Sequence, residues 1–221
     1  MSEYDTEPVP GLPQHLPEGE RLIWQGSPDA KGVARRVLHT NAVAGYFAAL
    51  ALVPFVSKAI YGGTLMDAAL TAFRVSLAGA AGFAILTVLA TLIARTTIYS
   101  ITSKRVVMRY GVAFPITLNI PFNEISGVDC KPYADGSADL ALTTSGPLRM
   151  SYLHLWPHAR SWRFENAAPT LRVVASGSTV ARTLIDAMVA AGVQGSTSRV
   201  RPANQPAQAQ SSAPDLASAA V

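Results

Sequence analysis

VSLAGAAGFAILTVLATLIA, residues 75–94, is a run of twenty residues without a charged side chain. An α-helix rises about 1.5 Å per residue, so this run would span about 30 Å, the thickness of a bilayer hydrocarbon core. Its small residues, including Gly79 and Gly82, suit close packing of helices in lipid. The alternative is a buried helix of a soluble protein, which needs a larger core than 221 residues provide. The run therefore predicts a membrane-spanning helix.

A second apolar segment precedes it at about residues 37–56. Its core, residues 42–56, is uncharged, and His39, Thr40 and Asn41 lie at its entrance. We therefore predict a hairpin of two spanning helices. The short uncharged core leaves open whether the first helix spans the bilayer fully.

Basic residues are concentrated on the two outer flanks of this hairpin. The flanks hold Lys31, Arg35, Arg36, Arg95, Lys104, Arg105 and Arg109, whereas the connection at residues 57–74 holds Lys58, Arg74 and the opposing Asp67. Cytoplasmic loops of membrane proteins carry an excess of Lys and Arg, so we predict a multi-pass protein with both termini in the cytoplasm. Within the connection, residues 65–73 (LMDAALTAF) have the pattern of an amphipathic helix at the membrane surface.

From Thr96 onward the periodicity is that of β-strands. Strands are predicted at about 96–102, 105–111, 112–120, 124–131, 139–144, 148–153 and 171–174, with Asp135-Gly136 as a hairpin turn. An amphipathic helix follows at residues 180–193 and ends at Gly192. The predicted fold is mixed α+β, a membrane helical hairpin followed by a cytoplasmic β-barrel that the C-terminal helix caps.

The remaining segments complete the predicted domain division. Residues 1–36 form a Pro-rich cytoplasmic arm, in which residues 20–26 (ERLIWQG) are either a strand or an anchor at the membrane surface. Residues 37–94 are the transmembrane hairpin and residues 95–195 the barrel domain. Residues 196–221 are rich in Ala, Pro, Gln and Ser and are predicted to be disordered.

The composition argues against several classes of function. Lys and Arg are not gathered on one stripe, which does not favour binding of nucleic acid. Cys130 is the only cysteine, so no intramolecular disulfide forms. His154 and His158 have the spacing of helical metal ligands, but Pro157 between them disfavours a helix, and we predict no metal site. We also find no catalytic set of residues, which predicts a protein that is not an enzyme.

Two motifs carry a resemblance to a family. YSITSKRVVMRYG at residues 99–111, followed by IPFNEISGV at residues 120–128, resembles the opening of bacterial pleckstrin-homology-like (PH-like) domains, which often follow a membrane hairpin. ERLIWQGSPD at residues 20–29 also resembles the arm that precedes such hairpins. The resemblance implies a PH-like domain over roughly residues 18–192.

A narrower resemblance involves residues 7–29 and SYLHLWPHARSWRF at residues 151–164, which are similar to the PuhB-type assembly proteins of purple photosynthetic bacteria. Ser161 departs from the Pro expected before Trp162. This resemblance implies a non-enzymatic factor that assembles or stabilises the photosynthetic reaction centre at the bacterial inner (intracytoplasmic) membrane. Its partners would be reaction-centre subunits or assembly intermediates and the lipid bilayer. The alternative is a general membrane-anchored PH-like module that binds lipid headgroups or another membrane protein.

Three sets of residues are candidate sites. The first is a docking loop rich in Trp and Arg, which dominate protein contacts, and comprises Trp156, His158, Arg160, Trp162 and Arg163. The same loop could instead form an interfacial belt or fill the open end of the barrel. The second set is a lipid-headgroup patch or a solvated strand edge at Lys104, Arg105 and Arg109. The third set is Gly79 and Gly82, whose small size suits close packing of helices, including packing between two copies in a homodimer.

His39 is the histidine nearest to the apolar helices, at the cytoplasmic edge of the first. An imidazole there could contact bacteriochlorophyll, but an interfacial polar residue is the simpler interpretation. We therefore predict no bound cofactor.

Overall fold

The structure, a computed structural model, describes residues 16–145, 155–159 and 168–193, together with the backbone of residues 197–200. The strand predicted at residues 148–153 lies outside these ranges. So do Arg160, Trp162 and Arg163 of the predicted docking loop.

A short helix, α1 (Ala30–Gly32), precedes two long helices that form the predicted hairpin. Helix α2 covers Thr40–Tyr61 and helix α3 covers Leu65–Thr96, with mean hydropathies of 1.7 and 2.2 in their most apolar windows. Both are long and apolar enough to cross a membrane. At about 1.5 Å per residue they measure about 33 and 48 Å.

Helix α3 is longer than predicted. The prediction of a separate surface helix at residues 65–73 is wrong, because these residues form the first part of α3. Its first turn is capped by Thr64, whose Oγ1 accepts a hydrogen bond from the Asp67 N–H at 3.1 Å. No Gly or Pro interrupts the chain between residues 65 and 78, so the helix continues without a break. Gly62 and Gly63, with φ of 81° and 117°, make the turn between the helices.

Within the described ranges, the strands form two four-stranded sheets. The first has the antiparallel order β1-β2-β3-β4, formed by Leu22–Gly26, Ile98–Thr102, Arg105–Tyr110 and Ile116–Pro121. The second has the order β7-β6-β5-β8, formed by Thr170–Val174, Ala138–Thr144, Ile125–Pro132 and Thr197–Val200. Helix α4, Gly177–Ala190, contributes Val180, Leu184 and Met188 to one hydrophobic cluster that both sheets share. A closed barrel was predicted, but the strands of the described ranges form two separate sheets.

Two segments outside the predicted barrel domain form strands of its sheets. Residues 20–26 were left open between a strand and an anchor, and β1 settles this as a strand that pairs with β2. The predicted arm therefore belongs in part to the sheet of the following domain. The start of the tail predicted to be disordered forms β8, which pairs in parallel with β5. Such pairing uses backbone groups and needs no bulky side chains.

The strand predicted at residues 112–120 begins only at Ile116. Gly111 has a φ of 119°, and a Cβ on it would lie 2.1 Å from the Phe114 carbonyl oxygen. The backbone therefore turns tightly at this position before β4 starts. Pro115, which has no N–H to donate, is the last residue of the turn.

Packing between α2 and α3 depends on one glycine. A Cβ on Gly79 would lie 2.6 Å from the Cβ of Phe47, whereas a Cβ on Gly82 meets nothing within 4 Å. Beside this contact a groove of about 450 Å³ is lined by Ala44, Phe47, Ala48, Ser76, Gly79, Ala80 and Phe83. Gly79 therefore serves packing within the hairpin, and Gly82 does not.

We predict that Gly79→Leu separates the helices while Gly82→Leu is tolerated. Overpacking of a close contact costs about 1–3 kcal/mol, so Gly79→Leu should lower the midpoint of thermal unfolding, followed by circular dichroism in detergent micelles. Gly82→Leu is the matched control, with the same residue change on the same helix. Equal midpoints for the two variants would contradict the packing described here.

Candidate functional site

The end of the first sheet where α3 enters it is the junction end. Thr97 directly follows α3, and Ile98 in β2 pairs with Arg109 in β3. Tyr110, the last residue of β3, therefore lies at the same end. Residues 155–159 also reach this end, because His158 contacts Thr97.

His158 is the centre of a buried polar cluster at the junction end. Its ring is hydrogen-bonded through Nδ1 to the Tyr99 hydroxyl at 2.8 Å and through Nε2 to Thr97 Oγ1 at 3.3 Å. The ring centroid lies 5.0 Å from that of Tyr110. The backbone carbonyl of His158 accepts a hydrogen bond from the Thr170 N–H at 2.8 Å. With His158 only 1% exposed, the cluster is closed to solvent.

Arg172, on β7, holds residues 155–159 through its guanidinium group. Its guanidinium pairs with Asp139 at 2.8 Å, with side chains only 13% and 8% exposed. It also donates hydrogen bonds to the carbonyl oxygens of Ala159 at 2.6 Å and Pro157 at 3.4 Å. Asp139 accepts further hydrogen bonds from the Val173 N–H and the Tyr133 hydroxyl, both at 2.8 Å. Residues 155–159 are thus held between β7 and the start of β2.

Burial sets the protonation of this cluster. Burial, assisted by the positive charge of Arg172, lowers the pKa of His158 from 6.5 to about 3, so the imidazole is neutral at physiological pH. Burial likewise raises the pKa of the Tyr99 and Tyr110 hydroxyls. The Tyr110 hydroxyl is buried without a hydrogen-bond partner among the described residues. A neutral, closed cluster of this kind holds a segment in place and offers no route for a substrate.

These contacts change the interpretation of the predicted docking loop. His158 was predicted as a partner contact, but its burial makes this wrong. Trp156 is 49% exposed and remains available to a partner. Both ring nitrogens of His158 are hydrogen-bonded within the domain, and His154, considered with it for its spacing, lies outside the described residues.

The three predicted headgroup ligands do not form one patch. Lys104 and Arg105 lie at the turn between β2 and β3, whereas Arg109 lies at the junction end, about 13 Å further along the strand. Arg105 makes a two-pronged ion pair with Glu20, at 2.9 and 3.0 Å, and the Glu20 side chain is only 3% exposed. A phosphate group would have to displace this carboxylate.

Sequence reasoning missed the contacts that join the helices to the second sheet. Arg36, predicted only as a basic flank, pairs with Asp135 at 2.6 Å, donates to Ser137 Oγ at 2.7 Å and lies 3.8 Å from the ring centroid of Tyr133. Gly32 packs so closely that a Cβ would lie 2.1 Å from Cγ1 of Val173. The sequence carries no local signal for either contact, because the partners are about a hundred residues away or more.

His39 lies at the start of α2, where it is exposed and has a φ of 52°. Its Nδ1 lies 3.1 Å from the Val37 carbonyl oxygen. This local contact fits the interfacial polar residue that we predict, and no observation here tests the alternative of a pigment contact.

We predict that Asp139→Ala destabilises the chain by about 3–5 kcal/mol, because it removes the buried carboxylate that pairs with the Arg172 guanidinium at 2.8 Å. Asp135→Ala removes the carboxylate of the more exposed pair with Arg36 and should change stability much less. Urea unfolding in detergent micelles, followed by circular dichroism, measures both. Comparable losses of stability in the two variants would show that the pair of Asp139 and Arg172 stabilises the chain no more than the pair of Asp135 and Arg36 does.

We also predict a pH dependence that belongs to His158. Its folded pKa is depressed, so between pH 6.5 and about 3 the unfolded chain binds a proton that the folded chain does not. The free energy of unfolding should therefore fall with falling pH, by up to about 1.4 kcal/mol per pH unit. His158→Gln should remove this slope between pH 6.5 and 5, where carboxylates contribute little. His39→Gln, at an exposed histidine, should retain it, and a slope unchanged in His158→Gln would refute the assignment.

Comparison with known proteins agrees with this architecture. The family model of the bacterial PH domain matches residues 43–188, from α2 into α4. A Rhodobacter capsulatus protein described as an uncharacterized 23.7 kDa protein in the puhA 5′ region is 35% identical over 189 residues, which cover 84% of this chain and 87% of that protein. No solved structure matches the chain significantly. PH-like domains are typically not enzymes. The chain belongs to the bacterial PH domain family.

Proposed function

We propose that the chain is a non-enzymatic assembly or stabilisation factor for the photosynthetic reaction centre, anchored in the bacterial inner (intracytoplasmic) membrane. Helices α2 and α3 form the anchor, with both termini in the cytoplasm. The PH-like domain holds reaction-centre subunits or assembly intermediates at the cytoplasmic face.

The anchor is supported by the apolar surface of the helices. Large apolar side chains along both are exposed in the folded chain, among them Leu52 at 63%, Ile60 at 67%, Ile85 at 67% and Val88 at 59%. A continuous apolar surface of this extent is unfavourable in water and suited to lipid. Threonines of α3 donate their hydroxyls to carbonyl oxygens four residues earlier, as Thr87 does to Phe83 at 2.8 Å and Thr91 to Thr87 at 2.9 Å. Their polar groups are thereby satisfied without water.

The photosynthetic link is the observation that carries the proposal. The Rhodobacter capsulatus relative is named for its position in the 5′ region of puhA, and its similarity covers most of both chains. The motifs at residues 7–29 and 151–164 resemble the PuhB-type assembly proteins independently of that name. A gene in the puhA region and a PuhB-type motif point to the same process.

The contact surface is supported by the geometry of residues 155–159. Leu155 and His158 are buried, so they fix the backbone on either side of Trp156. Trp156 is thereby presented at the junction end, close to where α3 enters the domain. An exposed, rigidly supported tryptophan is a frequent hot spot in protein contacts.

We predict that Trp156→Ala reduces co-purification of reaction-centre subunits with the tagged full-length chain from detergent-solubilised membranes. Loss of a hot spot worth about 2 kcal/mol would lower the affinity roughly 30-fold. Val189→Ala is the matched control, because Val189 is 65% exposed but lies on α4.

Deletion of the gene provides the broader test. The proposal expects weaker near-infrared reaction-centre absorption and slower photosynthetic growth, both restored by the wild-type gene. Unchanged absorption and growth in the deletion strain would overturn the assembly function. Recovery of the full-length chain in the supernatant of detergent-free ultracentrifugation would overturn the anchor.

A further inference from the structure

We propose that the turn between β3 and β4, residues 111–115, dips into the headgroup–acyl boundary of the bilayer through Val112 and Phe114, with Trp156 beside it. The contact clamps the PH-like domain flat against the membrane surface. This inference rests on the anchor in the proposed function. It concerns residues that no motif in the sequence singled out, apart from Trp156.

The position of the turn follows from strand register. Helix α3 ends at Thr96, and β2 starts two residues later at Ile98, opposite Arg109. Because β3 is antiparallel to β2, the chain beyond Arg109 runs back toward the side from which α3 arrives. Helix α3 also contacts β3 directly. The turn therefore extends from the junction end toward the membrane that α3 spans.

The exposure of the turn is unusual for apolar side chains. Phe114 is 83% exposed and Val112 is 43% exposed, and Trp156 adds a ring that is 49% exposed. In the described part of the PH-like domain outside the two long helices, the other large apolar side chains this exposed are Ile23 and Val189. Three of five such side chains thus gather at the end of the domain nearest to α3. An apolar group of this kind marks a contact surface.

The turn is rigid enough to present these side chains. Both of its ends are paired, since Tyr110 lies opposite Ile116. Gly111 has a positive φ, and a Cβ on it would lie 2.1 Å from the Phe114 carbonyl oxygen, so only glycine fits the path between these ends. Trp156 is held by the buried neighbours Leu155 and His158. The surface is therefore formed before any contact is made.

The charges around this end favour lipid as the occupant. Arg35 and Arg95, at the entrance to α2 and the exit of α3, are both exposed. Aromatic rings with flanking arginines are typical of the membrane–water interface, where the rings lie at headgroup depth and the guanidinium groups meet phosphates. A water-soluble protein would have to enter the space between the domain and the bilayer, which the short connection at Thr97 keeps narrow, whereas lipid and membrane-embedded subunits already lie on that side.

Spin-label accessibility in proteoliposomes tests the contact in the full-length chain. In a Cys130→Ala background, nitroxide labels are placed at Phe114→Cys, Trp156→Cys, Lys104→Cys and Ile85→Cys, in vesicles of phosphatidylethanolamine and phosphatidylglycerol. Oxygen partitions into the bilayer and a nickel chelate stays in water, so their relative effect on power saturation reports depth. Lys104 lies at the opposite end of β3 and controls for the aqueous domain, and Ile85 controls for the span.

Labels at Phe114 and Trp156 should favour oxygen over the nickel chelate, as Ile85 does, while Lys104 shows the reverse. Labels at Phe114 and Trp156 that resemble Lys104 while Ile85 remains in lipid would overturn the clamp and leave the anchor intact. An Ile85 label open to the nickel chelate would overturn the anchor itself. Labels at Phe114 and Trp156 shielded from both reagents would indicate a second copy of the chain in place of lipid, which also overturns the clamp.

Discussion

The pairing of β1 with β2 is the constraint on which the rest of the structure depends. These strands are neighbours in one sheet, with Trp24 opposite Ile101 and Gly26 opposite Tyr99, although both long helices lie between them in the sequence. Adjacent strands are about 4.8 Å apart, so the strand that leads toward the helical hairpin and the strand that follows it are fixed beside each other. The helices are consequently an insertion between two paired strands. A domain joined through one flexible linker would have no fixed orientation, whereas this one is held at two neighbouring points.

A second tie comes from Val173, which has a φ of 47°. Such a conformation is strained for a β-branched residue and costs about 1–3 kcal/mol. Neighbouring groups hold it on each side. Its N–H donates to Asp139, its carbonyl accepts from the Asp29 N–H at 3.1 Å, and its side chain packs on Gly32. The chain that leads into α2 is thereby fixed to the second sheet, and Arg36 repeats the connection one turn later through Asp135.

The local sequence pattern predicted most helices and strands. The features that it missed depend on contacts between residues that are far apart in the chain. The uncharged run at residues 75–94 and the β-branched runs after Thr96 predicted helix α3 and strands β2 and β3, because apolar periodicity is a property of neighbouring residues. Strand β1 remained ambiguous, since its partner lies beyond the hairpin. From the sequence, His158 was interpreted as an exposed loop residue, because its neighbours Tyr99, Thr97 and Arg172 are distant in the chain. Lys104, Arg105 and Arg109 are close in sequence, yet β3 carries them to opposite ends of a strand.

Rigidity at the junction end gives the proposed function its physical basis. In the proposed orientation, the buried pair of Asp139 and Arg172 holds residues 155–159, and the hydrogen bonds of His158 tie that segment to the residues that follow α3. A force or a partner acting on Trp156 is therefore transmitted to the helices without an intervening flexible element. Binding to a surface that is already ordered avoids the entropy loss of ordering a loop, which can amount to about 0.5–1.5 kcal/mol for each immobilised side chain. A factor that holds membrane subunits during assembly gains by this, because its domain and its helices keep one relative geometry while partners arrive from both the membrane and the cytoplasm.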